Sequence, residues 1–185
     1  MATEDRRVEA LHACAILDTA PHPAFDCLTR AAALALRAPI ALVSLLDTDR
    51  QWFKSVMGLP VRETPRSISF CNHTIGGFDP LIVEDTLEDP RFAQNPLVTG
   101  APYIRFYAGV PLIDPEGFAL GTLCILDYKP RTLSPDEICL LESLADGVMH
   151  AIAAHVQGLE IRRLTRKLDT LIHVEEHAGG LLRAG

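Results

Sequence analysis

The chain has 185 residues, of which 48% are apolar and 22% charged, and its formal net charge is −7. This composition is ordinary for a soluble protein of one domain, and the negative charge argues against nucleic acid or an anionic membrane as the main partner. No apolar run approaches the ~20 residues of a membrane helix, and the charged N-terminus lacks the apolar region of a signal peptide. We therefore expect a cytoplasmic protein.

The first half of the chain contains two predicted helices followed by a hairpin. Apolar residues recur at helical spacing over 5–14 and again over about 24–37, where Pro39 ends the second helix. The run 40–46 has the length and composition of a buried strand, and 51–57 returns after an Asp-Thr-Asp turn. These two segments predict a pair of antiparallel strands.

The segment 67–112 is the most informative part of the chain. It holds five prolines together with acids and aromatic residues, and it predicts a short helix over 70–75, a short strand over 81–84 and a helical turn near 89–98. A stretch this long is uncommon in a compact domain, and this one is too apolar for a disordered linker. We expect it to cover the sheet and form a ligand pocket.

The second half begins with the clearest hairpin, formed by 106–112 and 118–126. Both alternating faces of 118–126 are apolar, so both sides of the sheet should be covered. A long helix opens at Ser134-Pro135 and is predicted to end at Gly179-Gly180. Four apolar residues in its second half step by three, four and three like a coiled-coil seam, which predicts a homodimer through this helix: Ile161, Leu164, Leu168 and Leu171.

Together these elements predict an α+β fold with a single antiparallel sheet. The two N-terminal helices and the start of the last helix should cover one face, and the helix-loop insertion should cover the other. We expect a domain over 1–157, a helical extension over 158–178 and a flexible tail over 179–185.

Five cysteines are spread along the chain without any CxxC pair: Cys14, Cys27, Cys71, Cys124 and Cys139. Their odd number and wide spacing argue against a disulfide framework and against a structural zinc site, so no metal is expected. Reduced thiols are the simplest interpretation.

Several segments, in this order, resemble the GAF family of small-molecule sensor domains: ILDTAPHPAFD, IALVSLLDTDRQWFKSVMGL, SFCNHTI, VEDTLEDPRFAQNPLV, IRFYAGVPL and GFALGTLCILD. The resemblance extends from about Arg6 to Gln157 and is strongest to GAF domains at the N-terminal ends of bacterial histidine kinases and diguanylate cyclases. It implies a pocket between sheet and insertion and a terminal helix that carries the signal. No kinase or cyclase segment follows Val156, so the chain is expected to be either a stand-alone sensor or a fragment that regulates a partner, with a histidine kinase or a cyclase as the candidate partner.

Cys71 and His73 form the sharpest candidate pair for a site. Residues at i and i+2 of a helix do not face each other, but a thiol near a helix N-terminus would have a lowered pKa. Cys71 is therefore either a redox-active or ligand-sensing thiol in the pocket or a small buried residue. Free methionine sulfoxide reductases of the family use several pocket cysteines, and Cys71 is expected to lack a resolving partner, because Cys124 lies in mid-strand and Cys139 on the last helix. Bilin attachment is disfavoured because Cys71-Asn72-His73 is only loosely similar to the phytochrome signature.

Aromatic and charged residues complete the predicted ligand site. Asp85 could accept hydrogen bonds from a ligand base or amine, and Arg105 could hold a phosphate or carboxylate, although each could equally be a structural partner of nearby charges. Six aromatic residues are expected around the pocket, where they could stack on a planar ligand or fill the core: Trp52, Phe53, Phe70, Tyr103, Phe106 and Tyr107. The predicted ligand-binding set is Trp52, Phe53, Phe70, Cys71, His73, Asp85, Arg105 and Tyr107.

The sequence thus favours a sensory module that binds an unidentified small molecule and is not an enzyme, with no catalytic residue and no cofactor assigned. Two alternatives remain open. One is a thiol-based redox sensor or a methionine sulfoxide reductase-like enzyme that uses Cys71. The other is a ligand-free structural dimerisation module whose pocket is filled by its own side chains.

Overall fold

The computed structural model describes the backbone of residues 2–182 and the side chains of residues 3–170. Within these residues the chain forms five helices, one 3-10 turn and six strands. The helices are α1 (Ala2–Ala13), α2 (Pro23–Ala35), α3 (Cys71–Thr74), α4 (Pro96–Thr99) and α5 (Pro135–Leu182), and the 3-10 turn is Arg66–Ile68. The strands are β1 (Ile40–Leu46), β2 (Arg50–Met57), β3 (Glu63–Pro65), β4 (Leu81–Val83), β5 (Phe106–Ile113) and β6 (Ala119–Asp127).

The strands form one antiparallel sheet in the order β3-β2-β1-β6-β5-β4. Both predicted hairpins are present, and the predicted α+β fold with a single antiparallel sheet is confirmed. The edge strand β3 was not predicted, because three residues with half-exposed or exposed side chains carry no alternating apolar pattern.

The two central strands approach each other closely at Gly121, which lies opposite Leu45 in the register of β1 and β6. A Cβ atom at Gly121 would overlap the carbonyl oxygen of Ser44 and lie 2.9 Å from the Cα of Leu45. Glycine at this position therefore allows the two strands to pair tightly in the middle of the sheet.

Alternation along the strands divides the interior into two cores. On the helical side, α1, α2 and the first part of α5 pack on one face of the sheet through Leu11, Phe25, Leu36, Val43, Leu45, Leu123, Leu141, Val148 and Ile152. On the insertion side, the segment between β3 and β5 packs on the other face through Leu42, Phe53, Phe70, Val83, Phe92, Val98, Ile104, Tyr107 and Leu126. The predicted layers are present.

A buried arginine fixes α1 to the end of the sheet. Arg7 is 5% exposed and donates hydrogen bonds to the carbonyl oxygens of Leu46 (2.6 Å) and Ala119 (3.2 Å). Its charge is balanced by Glu4, which also accepts a 2.6 Å hydrogen bond from Arg66. Glu4 thus joins the first helix to the segment that follows β3.

The last helix begins with a capping box. The Ser134 hydroxyl accepts from the Glu137 N–H (3.3 Å), and the Glu137 carboxylate accepts from the Ser134 N–H (2.8 Å). Among the described residues, those up to Ile152 form one compact unit, and those from Ala153 onward form a second.

The helix continues through Gly179-Gly180 to Leu182, beyond its predicted end. A glycine costs a helix about 1 kcal/mol, and no proline reinforces the stop there. Residues 183–185 of the predicted tail and the side chain of Leu171 lie outside the described residues. By length and composition alone, Pro135–Thr170 would suit a membrane span. This is weak evidence, because the core helix of a domain passes the same test and Leu141, Val148 and Ile152 are core residues here.

Candidate functional site

A cavity of about 350 Å³ lies between the sheet and the insertion. Side chains of β1, β2, β5 and β6 form its floor, and the segments around 59–61, 70–71 and 97–104 form its walls. Its lining is mainly apolar and comprises Leu42, Gln51, Phe53, Leu59, Pro60, Val61, Thr64, Phe70, Cys71, Leu97, Ala101, Pro102, Ile104, Tyr107, Cys124 and Leu126.

Four of the eight predicted ligand-binding residues meet at this cavity: Phe53, Phe70, Cys71 and Tyr107. The rings of Phe70 and Tyr107 stack with their centroids 5.3 Å apart and an interplanar angle of 18°. The ring of Phe92 also packs against that of Phe70, and the centroids of the two rings are 4.9 Å apart. These rings form a packed aromatic wall at the place where a planar ligand is predicted to stack.

Trp52 does not line this cavity, although the sequence placed it in the predicted ligand-binding set. Adjacent strand residues point to opposite faces, so Phe53 faces the cavity and Trp52 faces the helical core. There the ammonium group of Lys54 lies 6.0 Å from the Trp52 ring. The same alternation places Phe106 in the helical core, while Tyr103 is largely exposed.

His73 lies outside the cavity lining. It is exposed on α3, with its ring edge-on to Phe92 at a centroid distance of 4.8 Å, whereas Cys71 of the same helix is buried. Partial burial lowers the pKa of His73, and the Arg91 charge adds to this effect. As the helical spacing indicated, Cys71 and His73 do not form a dyad.

Asp85 and Arg105 pair with each other away from the cavity. The guanidinium of Arg105 donates two hydrogen bonds to the Asp85 carboxylate, at 2.9 and 2.5 Å. These hydrogen bonds lower the pKa of Asp85 and more than offset the opposing effect of burial. The backbone reinforces the link, since the Thr86 N–H donates to the Arg105 carbonyl oxygen (2.9 Å). The structural alternative thus accounts for both charges, which tie the end of β4 to the start of β5.

Polar groups lie under the aromatic wall and contact the thiol of Cys71. The Gln51 amide donates to its Sγ atom (3.3 Å), and the Tyr107 hydroxyl lies 3.5 Å from the same atom. The Tyr107 hydroxyl also hydrogen-bonds the buried hydroxyl of Thr74 (2.6 Å). The first and last residues of α3, Cys71 and Thr74, are both buried against the sheet.

The expectation that Cys71 lacks a thiol neighbour is wrong. The Sγ atom of Cys124 lies 3.7 Å from that of Cys71, and both residues are buried. Alternation along β6 places Cys124 on the same face of the sheet as Leu126. The sequence does not show that Cys71 of α3 packs against this face. Gln51 and Thr64 were also missed, since isolated polar residues in short strands carry no distinctive pattern.

Within residues 3–170 the structure contains no group of three or more His, Cys, Asp or Glu side chains arranged to hold a metal ion. The polar groups that line the cavity are the thiols of Cys71 and Cys124, the hydroxyls of Thr64 and Tyr107, and the amide of Gln51.

Comparisons with known proteins agree with this architecture. A family model described as GAF domain matches residues 12–152. Over 138 residues the chain is 44% identical to a cyclic di-GMP phosphodiesterase of Pseudomonas aeruginosa, a match that covers 74% of this chain but only 24% of that protein.

Many solved structures share their fold with this chain at low sequence identity, and two of them serve as examples. One is the GAF domain from an Acinetobacter phosphoenolpyruvate-protein phosphotransferase, with a TM-score of 0.61 and 19% identity over 82% of this chain and 93% of that one. The other is the free methionine-R-sulfoxide reductase from Neisseria meningitidis in complex with its substrate, with a TM-score of 0.61 and 16% identity over 83% of this chain and 90% of that one. Because the family model spans most of the chain and the fold agrees with it, this chain belongs to the GAF domain family, whose members are generally sensory domains of signalling proteins.

Proposed function

We propose that this GAF domain binds a small, flat and largely apolar molecule in the cavity between the sheet and the insertion and passes its occupancy on through α5. The observation that carries the proposal is the cavity itself. An unfilled apolar cavity costs stability in proportion to its volume, and this one encloses about 350 Å³ under an aromatic wall. Ligand pockets span about 300–1,000 Å³, so the volume favours a small metabolite over a tetrapyrrole.

The walls of the cavity indicate the shape and polarity of the ligand. The nearly parallel rings of Phe70 and Tyr107 favour a flat partner. The lining includes the polar side chains of Gln51 and Thr64, and one or two hydrogen bonds from them would set the orientation of the ligand. A planar heterocycle with few polar atoms matches this lining best.

Transmission requires that the ligand favour one arrangement of the insertion and helices over another. A ligand shifts such an equilibrium only by its difference in affinity for the two states, and a tenfold shift corresponds to about 1.4 kcal/mol. In this proposal the domain acts in the cytoplasm as a homodimer joined by the second half of α5. Its partner is a signalling enzyme, a histidine kinase or a cyclic di-GMP-metabolising enzyme, and the similarity to a cyclic di-GMP phosphodiesterase supports the second.

A thermal-shift screen of the reduced protein tests ligand binding directly. The library should contain nucleobases, nucleotides, cyclic nucleotides, indoles, aromatic amino acids and haem. A compound present at a hundred times its dissociation constant stabilises the fold by about 2.7 kcal/mol, which raises the midpoint by several degrees. We expect the stabilising compounds to be flat and small.

Two leucine-to-tryptophan variants show whether a stabilising compound occupies the cavity. Leu97 lines the cavity, and Leu97→Trp should fill it and abolish the shift. Leu34 is 64% exposed on α2, so Leu34→Trp is the matched control and should keep the shift. If no compound shifts a well-folded sample, or if both variants respond equally, the ligand-binding proposal fails and the structural dimerisation module gains support.

A further inference from the structure

Two thiols lie side by side beneath the cavity, in a position that the proposed ligand binding does not use. The Sγ atoms of Cys71 and Cys124 are 3.7 Å apart. Both residues line the cavity, although neither is more than 2% exposed. A small molecule in the cavity therefore lies next to these two residues.

The surroundings of Cys71 supply donors for an ionised sulfur. The Gln51 amide and the Tyr107 hydroxyl already contact its Sγ atom, at 3.3 and 3.5 Å. Ser44 and Thr122 lie opposite each other on β1 and β6, are fully buried, and have hydroxyls without a hydrogen-bond partner. A buried hydroxyl without a partner is costly and calls for an explanation, and a thiolate at Cys71 would provide the missing acceptor.

The pKa values of the two thiols are displaced in opposite directions. Burial raises the pKa of Cys71, but the polar groups next to its sulfur, those of Cys124, Thr122, Tyr107 and Ser44, outweigh burial and bring that pKa below its ordinary value. Burial raises the pKa of Cys124 well above its ordinary value, and the neighbouring Cys71 raises it further. The pair thus contains one sulfur suited to be a nucleophile and one that keeps its proton.

We propose that Cys71 and Cys124 form a peroxide-reactive dithiol, in which Cys71 is oxidised by a hydroperoxide that enters through the cavity and Cys124 converts it to a disulfide. In the first step the Cys71 thiolate attacks the terminal oxygen of the hydroperoxide. The O–O bond breaks, the sulfur becomes a sulfenic acid, and the remaining alkoxide or hydroxide is protonated to an alcohol or water.

In the second step the Cys124 thiol attacks the Cys71 sulfur. The S–S bond forms, the S–O bond breaks, and the hydroxyl leaves as water with the proton of Cys124. The two sulfurs lose two electrons in total, and the hydroperoxide gains them.

Disulfide formation would change the cavity. The two sulfurs must approach from 3.7 Å to about 2.0 Å, which draws α3 toward β6. Phe70 precedes Cys71 directly and stacks on Tyr107, so this movement would shift the aromatic wall. Oxidation is in this way a second input to the domain, independent of whether the proposed ligand exists.

Thiol mapping of the whole chain tests the proposal. The protein is reduced, freed of reductant, exposed to limiting hydrogen peroxide at pH 7, alkylated, digested and analysed by mass spectrometry without reduction. We expect a peptide pair linked through Cys71 and Cys124 that disappears after treatment with dithiothreitol. An ordinary thiol is only a few per cent ionised at pH 7, so Cys71 should react about tenfold faster than the exposed Cys27 and Cys139.

Two variants separate the steps. Cys124→Ser should leave Cys71 as a sulfenic acid that dimedone labels, and Cys71→Ser should leave Cys124 unmodified. The Cys27→Ser/Cys139→Ser variant removes the two exposed thiols and should keep the wild-type rate at Cys71. The wild-type rates decide the question even if a buried variant fails to fold. The proposal is overturned if Cys71 remains reduced in folded protein while Cys27 and Cys139 are oxidised, or if Cys71 pairs with no other thiol.

Discussion

The ring of Tyr107 lies over Gly109, two residues further along β5, and only the missing side chain of Gly109 leaves room for the tyrosine hydroxyl. A Cβ atom at position 109 would overlap that hydroxyl and lie 2.6 Å from the Cζ atom of Tyr107. With this space open, the hydroxyl reaches Thr74 (2.6 Å) and the ring stacks on Phe70. The position of the aromatic wall therefore depends on a glycine that does not itself line the cavity.

Substitution of Gly109 should disturb this wall. In Gly109→Ala the added methyl group forces Tyr107 out of its position, and overpacking of a core typically costs about 1–3 kcal/mol of unfolding free energy. Urea denaturation measures the loss. Gly77→Ala is the matched control, because no atom lies within 4 Å of a Cβ added there, and it should change stability by less than about 0.5 kcal/mol. Equal stability of the two variants would show that Tyr107 can move away from the added methyl group at no cost in stability.

The hydrogen bond between Tyr107 and Thr74 should show strong coupling. Tyr107→Phe leaves the Thr74 hydroxyl buried without its 2.6 Å partner, which costs about 1–3 kcal/mol. Thr74→Val leaves the tyrosine hydroxyl with only its longer contact to the Cys71 Sγ atom (3.5 Å) and should cost less. The double variant removes both polar groups and should be destabilised by less than the sum of the two singles. A double-mutant cycle by chemical denaturation measures this difference. Additive losses would mean that the two hydroxyls find other partners.

The layers of this fold could be predicted from the sequence because burial imposes a period on it. The two apolar faces of 118–126 indicated a sheet covered on both sides, the helical spacing over 24–37 indicated α2, and Ser134-Pro135 marked the start of α5. The predicted end of α5 failed because Gly179-Gly180 is only a weak stop. β3 was missed because it carries no apolar period.

The site was predicted only in part, because it depends on contacts between segments distant in the sequence. Aromatic content brought Phe53, Phe70 and Tyr107, which line the cavity, into the predicted set, but it also brought in Trp52, which strand alternation places on the opposite face. No local pattern links Cys71 to Cys124, since their proximity arises only when α3 packs on β6.

Acid should weaken the attachment of α1. The hydrogen bond from Arg7, together with that from Arg66, lowers the pKa of Glu4 to about 2 against the opposing effect of burial. The unfolded chain, in which the pKa of a glutamate is about 4.3, binds this proton more readily than the folded one. The stability that Glu4 contributes is therefore complete above about pH 4.3 and is lost as the pH falls toward 2.

Denaturation curves measured between pH 2 and 7 test this assignment. Glu4→Gln should lower stability at pH 7 and should flatten the pH dependence below about pH 4.3. Asp5→Asn removes an exposed carboxylate of the same helix and should keep the wild-type slope. An unchanged slope in Glu4→Gln would assign the acid sensitivity to other carboxylates.

The second half of α5 should hold two copies of the chain together. Ile161, Leu164 and Leu168 are between 54% and 65% exposed although they recur at coiled-coil spacing, and a stripe of this kind on a soluble helix is stabilised by burial against a partner. We expect a dimer at micromolar concentration. Leu164→Glu combined with Leu168→Glu places like charges in the seam of both copies and should give a monomer in sedimentation equilibrium.

A matched control separates the loss of the seam from the added charge. Thr165 and Thr170 are exposed on the same part of α5, outside the predicted seam, and their hydroxyls bond only to backbone carbonyls one helical turn earlier. Thr165→Glu combined with Thr170→Glu adds the same charge and should keep the dimer. If the wild-type chain is already a monomer at micromolar concentration, or if both double variants remain dimeric, the seam is not the interface, and the exposed leucines require another explanation.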